Sequence, residues 1–166
     1  MKKDHIKALL LATFLSSVFS TESNAAPTLS ANASATVVAA MSISESTAMQ
    51  FGYFSSAGSA GTITQAGAVT GGVTAVASGV TRSGGIFEVS GTGNASYTLT
   101  LPATTSLTRS GGSETMDVTL TFASGTSARS LTSGTENVTI NGSLTVSASQ
   151  LAGSYTGTYL MSVAYN

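Results

Sequence analysis

LSANASATVVAAMSI, residues 29–43, places an apolar side chain at every odd position, namely Leu29, Ala31, Ala33, Ala35, Val37, Ala39, Met41 and Ile43, with Ser, Asn or Thr at most even ones. Period-two alternation is the mark of a β-strand with one face buried. At about 3.3 Å per residue the stretch would run roughly 50 Å. A compact domain of this length measures only about 37 Å across, so one domain cannot use the whole run as a single internal strand. The run therefore splits. Residues 37–44 read as the domain's own first strand. Residues 26–36, with Leu29, Ala31, Ala33 and Ala35 on one face, either extend to be buried elsewhere or fold back to complete their own sheet.

The remaining sequence supports an all-β antiparallel sandwich. Strands are expected near residues 61–64, 72–77, 86–90, 96–101, 115–122, 137–141, 143–148 and 156–165, with glycine and serine clusters between them. The clearest alternations are Tyr97, Leu99, Leu101, then Met116, Val118, Leu120, Phe122, then Tyr159, Met161, Val163, Tyr165. Each alternates with mainly Thr, Ser or Ala, which gives a buried face and a wet one. Gly84-Gly85 and Gly111-Gly112 read as tight turns, and Asn141-Gly142 as a hairpin turn. Residues 55–60 and 125–134 are expected to be mobile loops.

Lys2, Lys3 and Lys7, an apolar core over residues 8–18 and the small residues before Ala26 predict a secretory signal peptide over residues 1–25, cleaved between Ala25 and Ala26. That apolar core is far shorter than the ~20 residues of a spanning helix. Cleavage removes every lysine and the only histidine, leaving three arginines against five acids, a net charge of −2. A charge so weak and unclustered provides no footprint for nucleic acid. The sandwich domain is expected over residues 37–166, in an exported protein.

Enzyme chemistry finds no support in the residues. A nucleophilic serine requires a histidine or lysine base, and residues 26–166 contain neither. Among the five acids, Glu114 and Asp117 are near in sequence, but one sits at a turn and the other on the wet face of a strand. Without cysteine or histidine, no catalytic residue, transition-metal ligand set or cofactor site is expected, which leaves open only calcium on loop carbonyls.

Sandwich proteins normally guard exposed sheet edges with lysines, prolines or inward charges. Residues 28–44 carry no charge at all. A long uncharged strand of this kind is hazardous unless it has a pairing partner. Addition of a strand to another copy's open sheet edge supplies one, and head-to-tail use of two different surfaces makes an open fibre. A self-complemented carbohydrate-binding adhesin is the alternative, with Tyr53, Phe54 and Phe87 as stacking aromatics.

The alternating N-terminal extension, the alternating C-terminal strand with penultimate Tyr165, and Gly153, fourteenth from the end, together resemble chaperone–usher fimbrial subunits. Met49-Gln50-Phe51-Gly52 and Ala152-Gly153-Ser154-Tyr155-Thr156-Gly157 are similar to segments of spore-coat-U-like pilins and of a related uncharacterised family of secreted bacterial proteins. The resemblance implies an immunoglobulin-like, pilin-type β-sandwich with an N-terminal donor-strand extension. It implies polymerisation by donor-strand exchange with copies of itself or related pilins, helped by a periplasmic chaperone and an outer-membrane usher, and passage through the periplasm to a fimbria on the cell surface. On this reading Leu29, Ala31, Ala33 and Ala35 form the donor strand. Gly153, Tyr159, Met161, Val163 and Tyr165 form the edge used first by the chaperone and then by a neighbour.

Overall fold

The computed structural model describes residues 26–77, 79 and 81–166, so the leader and the cleavage position at Ala25 lie outside the described residues. Among the described residues eleven strands are present, all paired antiparallel: β1 (Ser42–Thr47), β2 (Phe54–Thr64), β3 (Val69–Ala75), β4 (Gly85–Ser90), β5 (Ser96–Thr100), β6 (Thr104–Arg109), β7 (Thr115–Phe122), β8 (Ala128–Ser130), β9 (Thr135–Val146), β10 (Tyr155–Thr156) and β11 (Ser162–Tyr165). There is no helix among the described residues. Thr36–Asn166 is one compact unit. Residues 26–35, outside it, lie in no strand and are exposed throughout, Leu29 at 93%.

Alternation decides which side chains face inward. β7 buries Met116, Val118 and Leu120 while Thr115, Asp117, Thr119 and Thr121 face water; β9 buries Val138, Ile140, Gly142, Leu144 and Val146; β5 buries Tyr97 and Leu99. Each fully buried Val, Leu or Ile contributes about 1.5–3 kcal/mol relative to exposure. β9 organises the larger, eight-stranded sheet, whose path runs β1-β4-β9-β7-β6-β10. Residues 135–140 of β9 pair with β4 and residues 143–146 with β2, while β7 pairs across residues 140–144. The smaller sheet is β11-β5-β8. Its Tyr97 and Leu99 join the same core as the inward side chains of β4, β7 and β9.

A polar tie also links the two sheets. Tyr97 on β5 donates its hydroxyl to Glu136 on β9 at 2.6 Å, and Arg129 on β8 donates through Nε to the same carboxylate at 2.9 Å. Burial pushes the Tyr97 hydroxyl up to about 12, and the neighbouring carboxylate adds to the rise. Burial alone would lift Glu136, but the hydrogen bonds from Arg129 and Tyr97 outweigh it and hold the carboxyl below its ordinary range.

Several expectations require correction. Residues 37–41 are not strand: β1 begins at Ser42, and Val37 is 97% exposed. Asn141-Gly142 is no hairpin turn but the middle of β9, where Gly142 is extended and buried opposite Leu120. A side chain at Gly142 would run into Met49 Sδ and come within 2.9 Å of Phe51 Cζ. The glycine is there for close packing and not for a positive φ. Gly85 likewise opens β4 instead of turning the chain, whereas Gly111 does adopt a turn φ of 76°. Residues 55–60 belong to β2, and residues 125–134 contain β8. The predicted strand over residues 156–165 is two short strands separated by residues 157–161.

Candidate functional site

The C-terminal segment changes sheets. β10 pairs with β6 of the larger sheet, Tyr155 opposite Arg109, and β11 pairs with β5 of the smaller one, Val163 opposite Leu99 and Tyr165 opposite Tyr97. Tyr155 is half-buried, residues 156–158 are exposed, and half-burial then alternates through Tyr159, Met161, Val163 and Tyr165, so the inward rhythm begins at Tyr159 before β11 does. Of the five residues expected at the edge, Gly153 and Tyr159 line a cleft, whereas Met161, Val163 and Tyr165 do not. Leu29, Ala31, Ala33 and Ala35 lie in no strand.

A cleft of about 1340 Å³ lies beside this segment. One wall is Glu45 with residues 48–56, the other is residues 150–159, and the floor includes Leu107, Met116, Val118, Leu120 and Leu144. Each wall is fastened on its far side. Gln50 and Ser83 exchange backbone bonds of 2.9 and 3.0 Å. The Arg82 guanidinium donates to the carbonyls of Phe51, Tyr53 and Val76 at 3.1, 3.0 and 2.8 Å. On the other wall, Ser110 N–H donates to the Ser154 carbonyl at 2.8 Å, Arg109 Nε donates to the Ala152 carbonyl at 3.0 Å, and Thr105 Oγ1 donates to the Thr158 carbonyl at 2.8 Å.

Gly153 has a local reason. A Cβ there would lie 2.7 Å from Arg109 Nε, so a side chain would displace the guanidinium that holds the wall.

Between the walls the pattern is different. None of the hydrogen bonds among the described residues joins residues 45–54 to residues 151–159. Ser56 closes one end, donating to the Ser147 carbonyl at 2.9 Å and accepting from Gln150 N–H at 3.1 Å. Tyr159 reaches across at Phe87, the two rings edge to face with centroids 6.0 Å apart. The floor is nearly shielded, Val118 and Leu144 each 1% exposed, because side chains from both walls, Phe51, Tyr155 and Tyr159 among them, pack over it. The rim carries exposed apolar groups, Tyr53 at 67% and Leu151 at 52%.

Tyr165 does something that alternation alone did not reveal. Its hydroxyl accepts from Thr92 N–H at 2.7 Å and donates to the Ala39 carbonyl at 2.8 Å, while Ala39 N–H donates to Thr92 Oγ1 at 2.7 Å. These three bonds form a closed ring that fastens residue 39 to the β4–β5 loop and to the end of the chain. A tyrosine beside the C-terminus was a visible signal; its partners 73 and 126 residues away were not.

Besides Glu136, two more acids are held by neighbours. Glu114 pairs with Arg109 at 3.3 Å, and its own backbone N–H, ahead of Arg109, holds it below the ordinary carboxylate range. Asp117 faces outward on β7 and accepts from Ser106 Oγ. Among the described residues no cluster of His, Cys, Asp or Glu could hold a metal ion, and no helix is long and apolar enough to cross a membrane.

Among curated proteins and among solved structures, none matches the chain. Residues 41–165, the span that contains all eleven strands, match the domain of unknown function DUF4402, and the chain belongs to that family.

Proposed function

We propose that the protein is a non-enzymatic subunit of a bacterial surface fibre, with an immunoglobulin-like, pilin-type fold, and that subunits join when residues 26–36 of one copy enter the cleft of the next. One observation carries this reading: the cleft has two walls, each hydrogen-bonded on its far side, with no hydrogen bond across it between residues 45–54 and 151–159. A strand added there gains main-chain partners along its length and places alternate side chains toward an apolar floor. The occupant is a second copy's arm because that arm is uncharged, exposed, outside any strand, and alternates with the required period. Alanines at three of its four apolar positions suit a floor already covered by aromatic side chains. Donor and acceptor are different surfaces, so the contact does not close on itself and propagates as a fibre.

Such a subunit needs export, a chaperone to cover the cleft before assembly, and an usher at the outer membrane. The test is electrophoresis, with and without boiling, of material sheared from cells that express the protein. A ladder collapsing to one band on boiling is expected from the wild type, and none from a variant lacking residues 28–35. Multimers that persist in the deletion variant overturn the mechanism. A wild-type monomer in both lanes overturns the fibre and favours the self-complemented adhesin.

A further inference from the structure

We infer that Tyr159 sets the size of the side chain the cleft admits, restricting one position of the inserted strand to alanine; this rests on the donor-strand reading. Tyr159 belongs to residues 157–161, the stretch of its wall with no strand partner. Its ring meets Phe87 edge to face at 70°. Its hydroxyl reaches β4, at a point 2.5 Å from where a Cβ of Gly85 would stand, so the glycine makes room for it. The ring thus crosses the cleft from one wall to the strand paired with the other.

The hydroxyl is buried there with no hydrogen-bond partner. A buried, unpaired O–H destabilises the subunit that holds it, so phenylalanine would serve the free subunit better, and the size limit rests on the ring and not on the hydroxyl. What the full ring does accomplish is to fill the floor beside Phe87. An inserted strand crossing that spot has the ring beneath one of its side chains, and the inferred limit there is a methyl group. The arm's composition matches, with Ala31, Ala33 and Ala35 following the single large residue Leu29.

The experiment uses the purified full chain and fluorescently labelled synthetic peptides of residues 26–36, either wild type or carrying one of Ala31→Leu, Ala33→Leu or Ala35→Leu. The wild-type peptide binds, and at least one leucine peptide binds at least tenfold more weakly. Tyr159→Ala restores that leucine peptide to within about threefold of the wild-type peptide. Tyr159→Leu, which keeps apolar contact but loses the reach to Gly85, replaces it if the alanine variant does not fold. Tyr159→Phe keeps the discrimination and melts at a higher temperature than the wild type. Discrimination unchanged in Tyr159→Ala or Tyr159→Leu overturns the inference while leaving the donor-strand reading intact. Failure of the wild-type peptide to bind any form overturns that reading instead.

Discussion

Replacing Tyr165 with phenylalanine removes one oxygen and breaks two bonds of the ring that joins Ala39, Thr92 and Tyr165. The two losses are unequal. The Ala39 carbonyl is exposed and turns to water, but Thr92 N–H is partly buried and is left without its acceptor. An unsatisfied buried donor costs about 1–3 kcal/mol, and partial exposure places this one in the lower half of that range, about 1–2 kcal/mol. Unfolding entropy of about 2.1 cal/mol/K per residue gives the Thr36–Asn166 unit about 0.27 kcal/mol/K near its midpoint, so Tyr165→Phe should melt about 4–7 °C lower.

Because the chain has no tryptophan, the readout is far-ultraviolet circular dichroism or calorimetry. Hydrogen exchange localises the effect, with Thr92 N–H losing protection first and Ala39 N–H following as the ring loosens. Thr92→Val removes the acceptor for Ala39 N–H, and the double variant should lose about 0.5–1 kcal/mol less than the two single losses together, since bonds in one network are coupled. A Tyr165→Phe midpoint within about 1 °C of wild type would refute the ring.

Two further perturbations test the core and its polar tie. Stability should fall at both pH extremes. Glu136 is held below its usual 4.5, so its contribution is present above that value and lost as pH falls through the folded-state value. Tyr97 and Tyr159 are pushed from 10.0 to about 12, so stability present below pH 10 is lost as pH rises toward 12. For fully buried Tyr97 this amounts to roughly 2–3 kcal/mol, and urea midpoints that stay flat from pH 10 to 12 would contradict it. Gly142→Ala should cost about 1–2 kcal/mol: overpacking against Met49 and Phe51 costs about 1–3 kcal/mol, partly offset by about 0.5–1 kcal/mol from replacing a strand glycine. Its urea midpoint should drop with an unchanged slope, and a stabilised variant would show that the contact is absent.

Legibility followed the kind of physics involved. β5, β7 and β11 were readable because Tyr97, Met116, Val118, Leu120 and Val163 alternate in one dimension as they do in three, whereas the break at residues 157–161 was not. β2 was not, since Ser55 to Gly61 supply almost no apolar rhythm and the strand is held by pairing with β3 and β9. Gly142 misled for a different reason. A glycine that makes room for a distant side chain looks the same in sequence as one that turns the chain, and only the placement of Met49 and Phe51, about 90 residues earlier, separates the two. At the cleft, the alternation that turns Tyr159 inward was visible. Arg82 and Arg109 were not, because their partners are backbone carbonyls, which carry no residue identity.

On the proposed donor-strand reading, the cleft and the arm also account for each other energetically. A domain that lacks a strand exposes apolar floor and risks indiscriminate association, yet Met116, Val118, Leu120 and Leu144 are nearly fully covered. The cover comes from side chains, Phe51, Tyr155 and Tyr159 among them, and not from a strand that must be expelled. An inserted arm therefore breaks no hydrogen-bonded ladder between residues 45–54 and 151–159. Its gain is the main-chain pairing that aromatic rings cannot provide. Small residues then suit the arm: alanine adds backbone pairing while displacing little of the existing cover, whereas a run of leucines would have to clear the floor before it could bind.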